Sequence, residues 1–363
     1  MKTILVSIIS DQTIPNIQFI KEKQAETTEY LFVTTVGMEK KEMLTYLLKA
    51  HPIDAALVKK IVVDEFSYQD IENELQKVVS DENRYVVNLT GGTKIMSLAV
   101  NDFFKNYNAE LFYLTGRNNN YLKIFPGKTR PTLTLKSTIN LDEYLMAYGF
   151  DVQSKGKLTK ERAVSNVIFD YFLNKIEASD FVVLNELRIN HRDKNLNDLD
   201  LVDGLKELLA KMQFVPETIG KLSKSETKYL TGDWFEEYMY YYLKEKFDIK
   251  DFNIGTGWFI KKDESTNEFD IILIKNNSLF IYECKTSIFK DSEERQNIIS
   301  ETIYKSDSLK NKLGLFAITH IVTLSELNND SLNVHLKRAE ASKVIIIGKS
   351  EFKNSELLAT KLK

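Results

Sequence analysis

Cysteine and histidine are scarce in this chain of 363 residues, with one of the first and four of the second. The lone Cys284 excludes an intrachain disulfide framework and fits a reducing compartment. His51, His191, His320 and His335 are scattered without metal-ligand spacing, so each reads as a core or surface residue. No apolar run approaches the ~20 residues that a membrane-spanning helix needs. The first apolar stretch, 3–10, is shorter than a signal-peptide core with its cleavage region, and Asp11 follows at once. The expectation is a cytoplasmic, soluble protein with no membrane partner. Excess charge is also missing. Lys and Arg total 49 against 52 Asp and Glu, a formal net charge of −3, so any nucleic-acid surface must be local. Neither a Walker A loop nor a GxGxxG fingerprint occurs, and there is no internal repeat or low-complexity tract. What is present is an ordinary globular balance, 43% hydrophobic and 28% charged, in a chain long enough for two or more domains.

The first 127 residues alternate apolar runs (3–10, 30–36, 60–66, 85–90, 110–115, 121–125) with amphipathic stretches (16–24, 40–49, 68–79, 93–107). Continuous apolar strands between helices predict a parallel sheet covered on both faces, a Rossmann-like α/β domain that ends in a hairpin. The segment Asn88-Leu89-Thr90-Gly91-Gly92-Thr93-Lys94 closes the fourth strand and opens a helix. Two glycines permit close backbone approach, and free N–H groups, two hydroxyls and a lysine make an anion site. A plain glycine turn with a helix cap is the blander reading. In an open parallel sheet, ligands bind beyond the carboxyl ends of the strands. Two more polar loops, Ser10-Asp11-Gln12-Thr13 after the first strand and Thr34-Thr35-Val36-Gly37 after the second, lie at that edge.

Residues 128–160 read as a linker with a short helix at 141–148. The remainder, 161–363, reads as a second α/β unit, entered through a helical connector at 161–220: helix 161–175, short strand 181–185, exposed turn 191–198, helix 200–212. Beyond it come a helix at 233–247, strands at 258–261, 269–274, 279–285, 316–323 and 343–348, and a charged helix near 292–312, which together predict a mixed sheet.

Within that unit, Asn276-Asn277 separates two apolar β runs, a hairpin signal. With those residues as the loop, Lys275 pairs with Ser278, Asp270 lies opposite Glu283, and Glu268 lies opposite Lys285. All four side chains share one face, and opposed carboxylates at about 5 Å call for a counter-charge, commonly a hard divalent cation. Glu236, on the helix ahead of the strands, is a candidate third acid, with Glu237 as its rival. The chemistry is phosphodiester hydrolysis. Asp270, Glu283 and the Cys284 backbone carbonyl would hold Mg²⁺ or Mn²⁺, Glu236 would ligate the same ion or a second, and Lys285 would orient or deprotonate water or neutralise phosphorane charge. A cross-strand ion pair between Glu268 and Lys285 is the plainer alternative. The Cys284 side chain faces away by strand alternation. The aromatic run 238–242 reads as helix packing ahead of base stacking. Lys221, Lys224, Lys228, Lys261, Lys262, Lys290 and Lys305 are phosphate contacts or a solvated face.

The Asp270…Glu283-Cys284-Lys285 set resembles the PD-(D/E)xK restriction-endonuclease-like nucleases, with Phe269 where the motif's Pro would stand. The Asn88–Lys94 segment resembles that of the CARF domain, the CRISPR-associated Rossmann fold that senses cyclic oligoadenylates. The combination is similar to the CARF–nuclease effectors of type III CRISPR systems, over 1–127 and 232–347. That resemblance implies a homodimer with one composite pocket for a ring of four adenylates, lined by Ser10, Asp11, Gln12, Thr13, Asn88, Thr90, Gly91, Gly92, Thr93 and Lys94. It implies an endonuclease allosterically activated by cyclic tetra-adenylate in antiviral defence, cutting DNA, RNA or both. A nucleotide-responsive nucleic-acid-binding regulator without nuclease activity is the alternative, and a sensor that degrades its own activator is a third reading.

Overall fold

In the computed structural model of the protein, residues 1–116, 119–286, 297, 300–305, 312–315, 317–327 and 333–362 are described. Most of the charged helix expected near 292–312, Lys290 among the candidate phosphate contacts, and Arg117 and Phe316 lie outside them, as does the side chain of His335.

Two sheets organise the chain. The first has strands β1 Thr3–Ile8, β2 Glu29–Thr35, β3 Val58–Val63, β4 Arg84–Asn88, β5 Ala109–Leu114, β6 Asn120–Phe125 and β7 Thr132–Thr134. Its order is β3-β2-β1-β4-β5-β6-β7. The first five strands run parallel, and β6 and β7 are antiparallel. β1 and β4 are nearly all buried, which is why their sequences read as unbroken apolar runs. Between β1 and β4 the order reverses, so the loops leaving their carboxyl ends diverge and open a crevice.

The second sheet has the order β15-β14-β13-β12-β11-β8. It is built from β8 Asp151–Ser154, β11 Ile254–Lys262, β12 Ser265–Lys275, β13 Ser278–Lys285, β14 Ile318–Thr323 and β15 Val344–Ile347. The expected mixture holds: β13, β14 and β15 are parallel, and the remaining pairs are antiparallel. A small ribbon, β9 Leu196–Asp198 with β10 Lys221–Ser223, stands apart.

The stretch expected to be a linker contributes to both sheets. β7 extends the first and β8 edges the second. Between them the helix Leu141–Ala147, started by an Asn140/Glu143 capping box, buries Leu141, Tyr144, Leu145 and Ala147. These side chains join one apolar cluster that runs from Leu5, Ile14 and Leu47 of the first unit to Trp258, Ile272 and Ile281 of the second.

Two expectations for the connector are corrected. Residues 181–185 lie in a helix, Ala178–Glu186, started by reciprocal bonds between Glu177 and Asp180. The segment 191–198 is not simply an exposed turn. His191 and Asn197 are buried, and the Asn197 amide donates to the His191 carbonyl and to the Thr227 hydroxyl, at 3.1 Å each.

Candidate active site and sensor crevice

The β12–β13 hairpin has the register its sequence dictates. Lys275 pairs with Ser278 and Ile271 with Tyr282. Asn276 and Asn277 both take positive φ (51° and 60°), the left-handed geometry that a tight hairpin turn demands and asparagine tolerates. Beyond Ile271 the ladder is continued by side chains. The Cys284 N–H donates to the Asp270 carboxylate at 2.8 Å. In a strand a residue's N–H and C=O point the same way, so the Cys284 carbonyl also faces Asp270.

Asp270 and Glu283 stand on one face and share the Lys285 ammonium, which lies 3.3 Å from Asp270 Oδ2 and 3.7 Å from Glu283 Oε2. Both acids are buried, at 9% and 3% exposure. Burial, then the charge of Asp270, pushes the Glu283 carboxyl above its ordinary range. Burial alone would lower Lys285, but the charges of Asp270 and Glu283 outweigh it and hold the ammonium well above its usual value. The plain Glu268–Lys285 pair is not formed. Glu268 instead lies opposite Phe259 on β11, and among the described residues the carboxylate partners of Lys285 are Asp270 and Glu283. Cys284 is buried among apolar side chains on the other face.

Glu236 and Glu237 separate cleanly on the helix Trp234–Lys246. The Glu237 carboxylate accepts from the backbone and hydroxyl of Thr159 and from the Lys160 N–H, which fixes the chain entering the second unit. Glu236 turns to the hairpin. Burial, then the charges of Asp270 and Asp233, pushes its carboxyl well above the usual value. The aromatic run on this helix packs inward, with the Tyr238 ring stacked 3.7 Å from that of Phe169.

Among the described residues no three His, Cys, Asp or Glu side chains are arranged as a metal cluster. Together the carboxylates of Asp270 and Glu283 and the Cys284 carbonyl would offer an all-oxygen donor set, which suits Mg²⁺ or Mn²⁺ better than zinc.

The first sheet brings Ser10–Thr13 and Asn88–Lys94 to one edge; the expected third loop is not one, for Thr34 and Thr35 are buried in β2 and Val36-Gly37 opens the helix Val36–Lys40. Gly91 and Gly92 have φ of +114° and +66°, and a Cβ on Gly91 would lie 2.7 Å from the Ile8 carbonyl, so this turn is open to glycine alone. Thr93 caps the helix Lys94–Phe104, its hydroxyl accepting from Met96 N–H at 3.2 Å and donating to the Glu65 carbonyl at 2.9 Å. Lys94 is exposed at the first helical position. The Thr90 hydroxyl accepts from Leu114 N–H, and the Ser10 hydroxyl accepts from Gln12 N–H. Asp11 pairs with Lys41 at 2.8 Å, both exposed. Two expected lining residues are buried in the fold. Thr13 donates to the Ala147 carbonyl at 2.6 Å, and the Asn88 amide bonds Ser7 and Asn16. Their side chains brace the crevice and do not line it. Gln12 points across to the second unit, its side-chain oxygen accepting from the Tyr148 hydroxyl at 3.1 Å and the Leu315 N–H at 3.0 Å. Sequence reasoning missed this contact, since nothing local links positions 12, 148 and 315.

Residues 4–144 match the family model of the Card1 CARF domain, and residues 223–359 match that of the Card1-like endonuclease domain. Comparison with curated proteins found no match. Among solved structures, Can2 from Sulfobacillus thermosulfidooxidans in complex with cyclic tetra-adenylate is similar over 99% of both chains, at 21% identity and a TM-score of 0.77. The protein VC1899 from Vibrio cholerae is similar over 99% of this chain and 97% of its own, at 17% identity and a TM-score of 0.80. At such identities the likeness speaks for the fold.

Proposed function

Because the chain belongs to the Card1 family, with a CARF domain ahead of a Card1-like endonuclease domain, we propose that it is a cyclic tetra-adenylate-activated, metal-dependent endonuclease of type III CRISPR defence. It acts in the cytoplasm on DNA, RNA or both. The observation that carries the reading is the shared-face pair Asp270 and Glu283 with Lys285 between them. Opposed buried carboxylates are costly unless a cation is their purpose, and a purely binding domain has no use for them.

Asp270, Glu283 and the Cys284 carbonyl would hold the ion, and Glu236 would ligate the same ion or a second one. Bound there, Mg²⁺ or Mn²⁺ supplies Lewis acidity to a phosphoryl oxygen and an acidified water. Lys285, 3.3 Å from Asp270, orients or deprotonates the water or donates to phosphate oxygen as negative charge builds.

The crevice at the β1/β4 switch point receives the ring, with the Gly91–Gly92 backbone and Lys94 as its anion-binding edge. Beside it, Val36, Phe66, Ile95 and Leu98 are exposed, Phe66 at 72% and Leu98 at 58%. Apolar surface at the mouth of a half-pocket fits a second copy of the chain, which would complete a two-fold site for a two-fold ligand. Gln12 passes the state of the crevice to Leu315, next to β14.

The test is incubation of purified protein with labelled DNA and RNA, with and without Mn²⁺ or Mg²⁺ and cyclic tetra-adenylate. Cutting that needs both metal and ring, and is lost in Glu283→Ala, supports the reading. Binding without cutting favours the regulator, and loss of the ring on incubation would show a sensor that degrades its activator.

A further inference from the structure

We propose that Lys305 is a second phosphate-binding lysine of this site, which contacts the nucleic-acid backbone from the solvent side while Lys285 does so from within. The proposal rests on the endonuclease reading above. Lys305 comes from a short helical stretch outside the hairpin, yet its ammonium lies 3.2 Å from Glu283 Oε1 and 3.0 Å from the Glu268 carbonyl oxygen. Glu283 is thus flanked by two ammonium groups, Lys285 on Oε2 and Lys305 on Oε1. The two differ in access. The Lys305 side chain is 39% exposed, that of Lys285 28% and that of Glu283 4%. Lys305 therefore stands at the mouth.

An ammonium has three donors. Glu283 and the Glu268 carbonyl take two, which aim the group, and the third remains for a phosphate oxygen. The carbonyl bond orients Lys305 without cancelling its charge. Once a divalent ion neutralises Glu283, the Lys305 charge is left over for the substrate. The mouth needs such a charge, because Asp233, Glu236 and Glu268 add to the negative field around Asp270, which repels a polyanion.

The experiment measures anisotropy of fluorescein-labelled single-stranded DNA and RNA on full-length protein with cyclic tetra-adenylate, with calcium in place of the activating ion, over a salt series. Steady-state cleavage and thermal melting run in parallel. Lys305→Ala is expected to weaken binding about tenfold and to lower the slope of log affinity against log salt by about 1. KM rises while kcat changes little, and Lys305→Arg restores both affinity and slope. If wild type binds and Lys305→Ala matches it in affinity and slope, the assignment is wrong, and a changed melting point alone would make Lys305 only a charge balance for Glu283. If wild type itself neither binds nor cuts, the endonuclease reading fails and this assignment falls with it.

Discussion

The side-chain oxygen of Gln12 accepts a hydrogen bond from the backbone N–H of Leu315, 303 residues further along the chain, at 3.0 Å. The Tyr148 hydroxyl donates to the same oxygen. A crevice loop is therefore tied to the helix between the sheets and to the turn before β14, and β14 pairs with the strand that carries Glu283 and Lys285. Gly314 makes the approach possible, for a Cβ there would lie 2.2 Å from the Tyr148 hydroxyl oxygen.

Tyr148→Phe keeps the ring and removes that donor. A hydrogen bond of about 1 kcal/mol corresponds to a shift of roughly fivefold in half-maximal activation by cyclic tetra-adenylate, towards higher ligand. Cleavage at saturating ligand stays near wild type. A dose–response curve of cleavage decides it, and superimposable curves would remove the Tyr148–Gln12 bond from the relay.

Glu283→Gln and Asp270→Asn remove charge without changing shape. Cleavage should fall by at least about 100-fold, since the ion and the developing phosphorane charge lose their support. Ring binding, measured by calorimetry, should be unchanged. Glu237→Gln is the contrasting variant. It weakens the hold on Thr159 and Lys160, so it should lower stability by about 1–3 kcal/mol in urea melts and leave the folded enzyme's kcat intact. Equal kcat losses in Glu237→Gln and Glu283→Gln would undo the distinction drawn between the two kinds of acid.

Lys94→Ala removes an exposed charge at a helix start, where folding does not depend on it. Affinity for cyclic tetra-adenylate should drop by about tenfold, in line with the loss of a charge-assisted hydrogen bond. Gly91→Ala should reduce both ring binding and stability, because its Cβ collides with the Ile8 carbonyl. Calorimetric titration with the ring tests both, and undiminished affinity in Lys94→Ala would move the binding edge elsewhere.

His320 is fully buried on β14 with its ring stacked 4.4 Å from that of Tyr282, and burial lowers its pKa to about 4. An unfolded histidine titrates near ~6.5, so between these values the folded state binds fewer protons. Stability is then complete above that range and lost as pH falls through it, by up to ~3 kcal/mol. Urea midpoints at pH 7.5 and 4.5 read the effect, and His320→Gln should flatten it. An identical pH dependence in wild type and variant would exclude His320 as its source.

The hairpin of the candidate active site was legible because its information is local: an Asn-Asn turn and a period of two fix which side chains face each other. The first sheet was legible for the same reason, with long buried strands separated by amphipathic helices. β7 and β8 were not, because strands of three and four residues owe their existence to partners elsewhere in the fold. The helix over 181–185 was masked by Phe181-Val182-Val183, whose strand preference is overridden by the Glu177/Asp180 start, a pattern visible in the sequence. Glu236 against Glu237 needed the three-dimensional position of Thr159. Thr13 and Asn88 were expected to line the crevice, but their inward orientation depends on Ala147, Ser7 and Asn16.

Asn277 sits at the tip of that hairpin, and its amide takes hold of the other half of the molecule. Its oxygen accepts from Ile139 N–H at 2.8 Å, and its nitrogen donates to the Asn119 side chain and the Ser137 carbonyl. The same two-residue turn thus sets the register of the acids at one end and is socketed into the sensor at the other. Chimaeras that graft this nuclease onto a foreign sensor must therefore carry a matching socket for Asn277, and exchange of modules within such proteins is constrained at this turn as well as at the Gln12 contact.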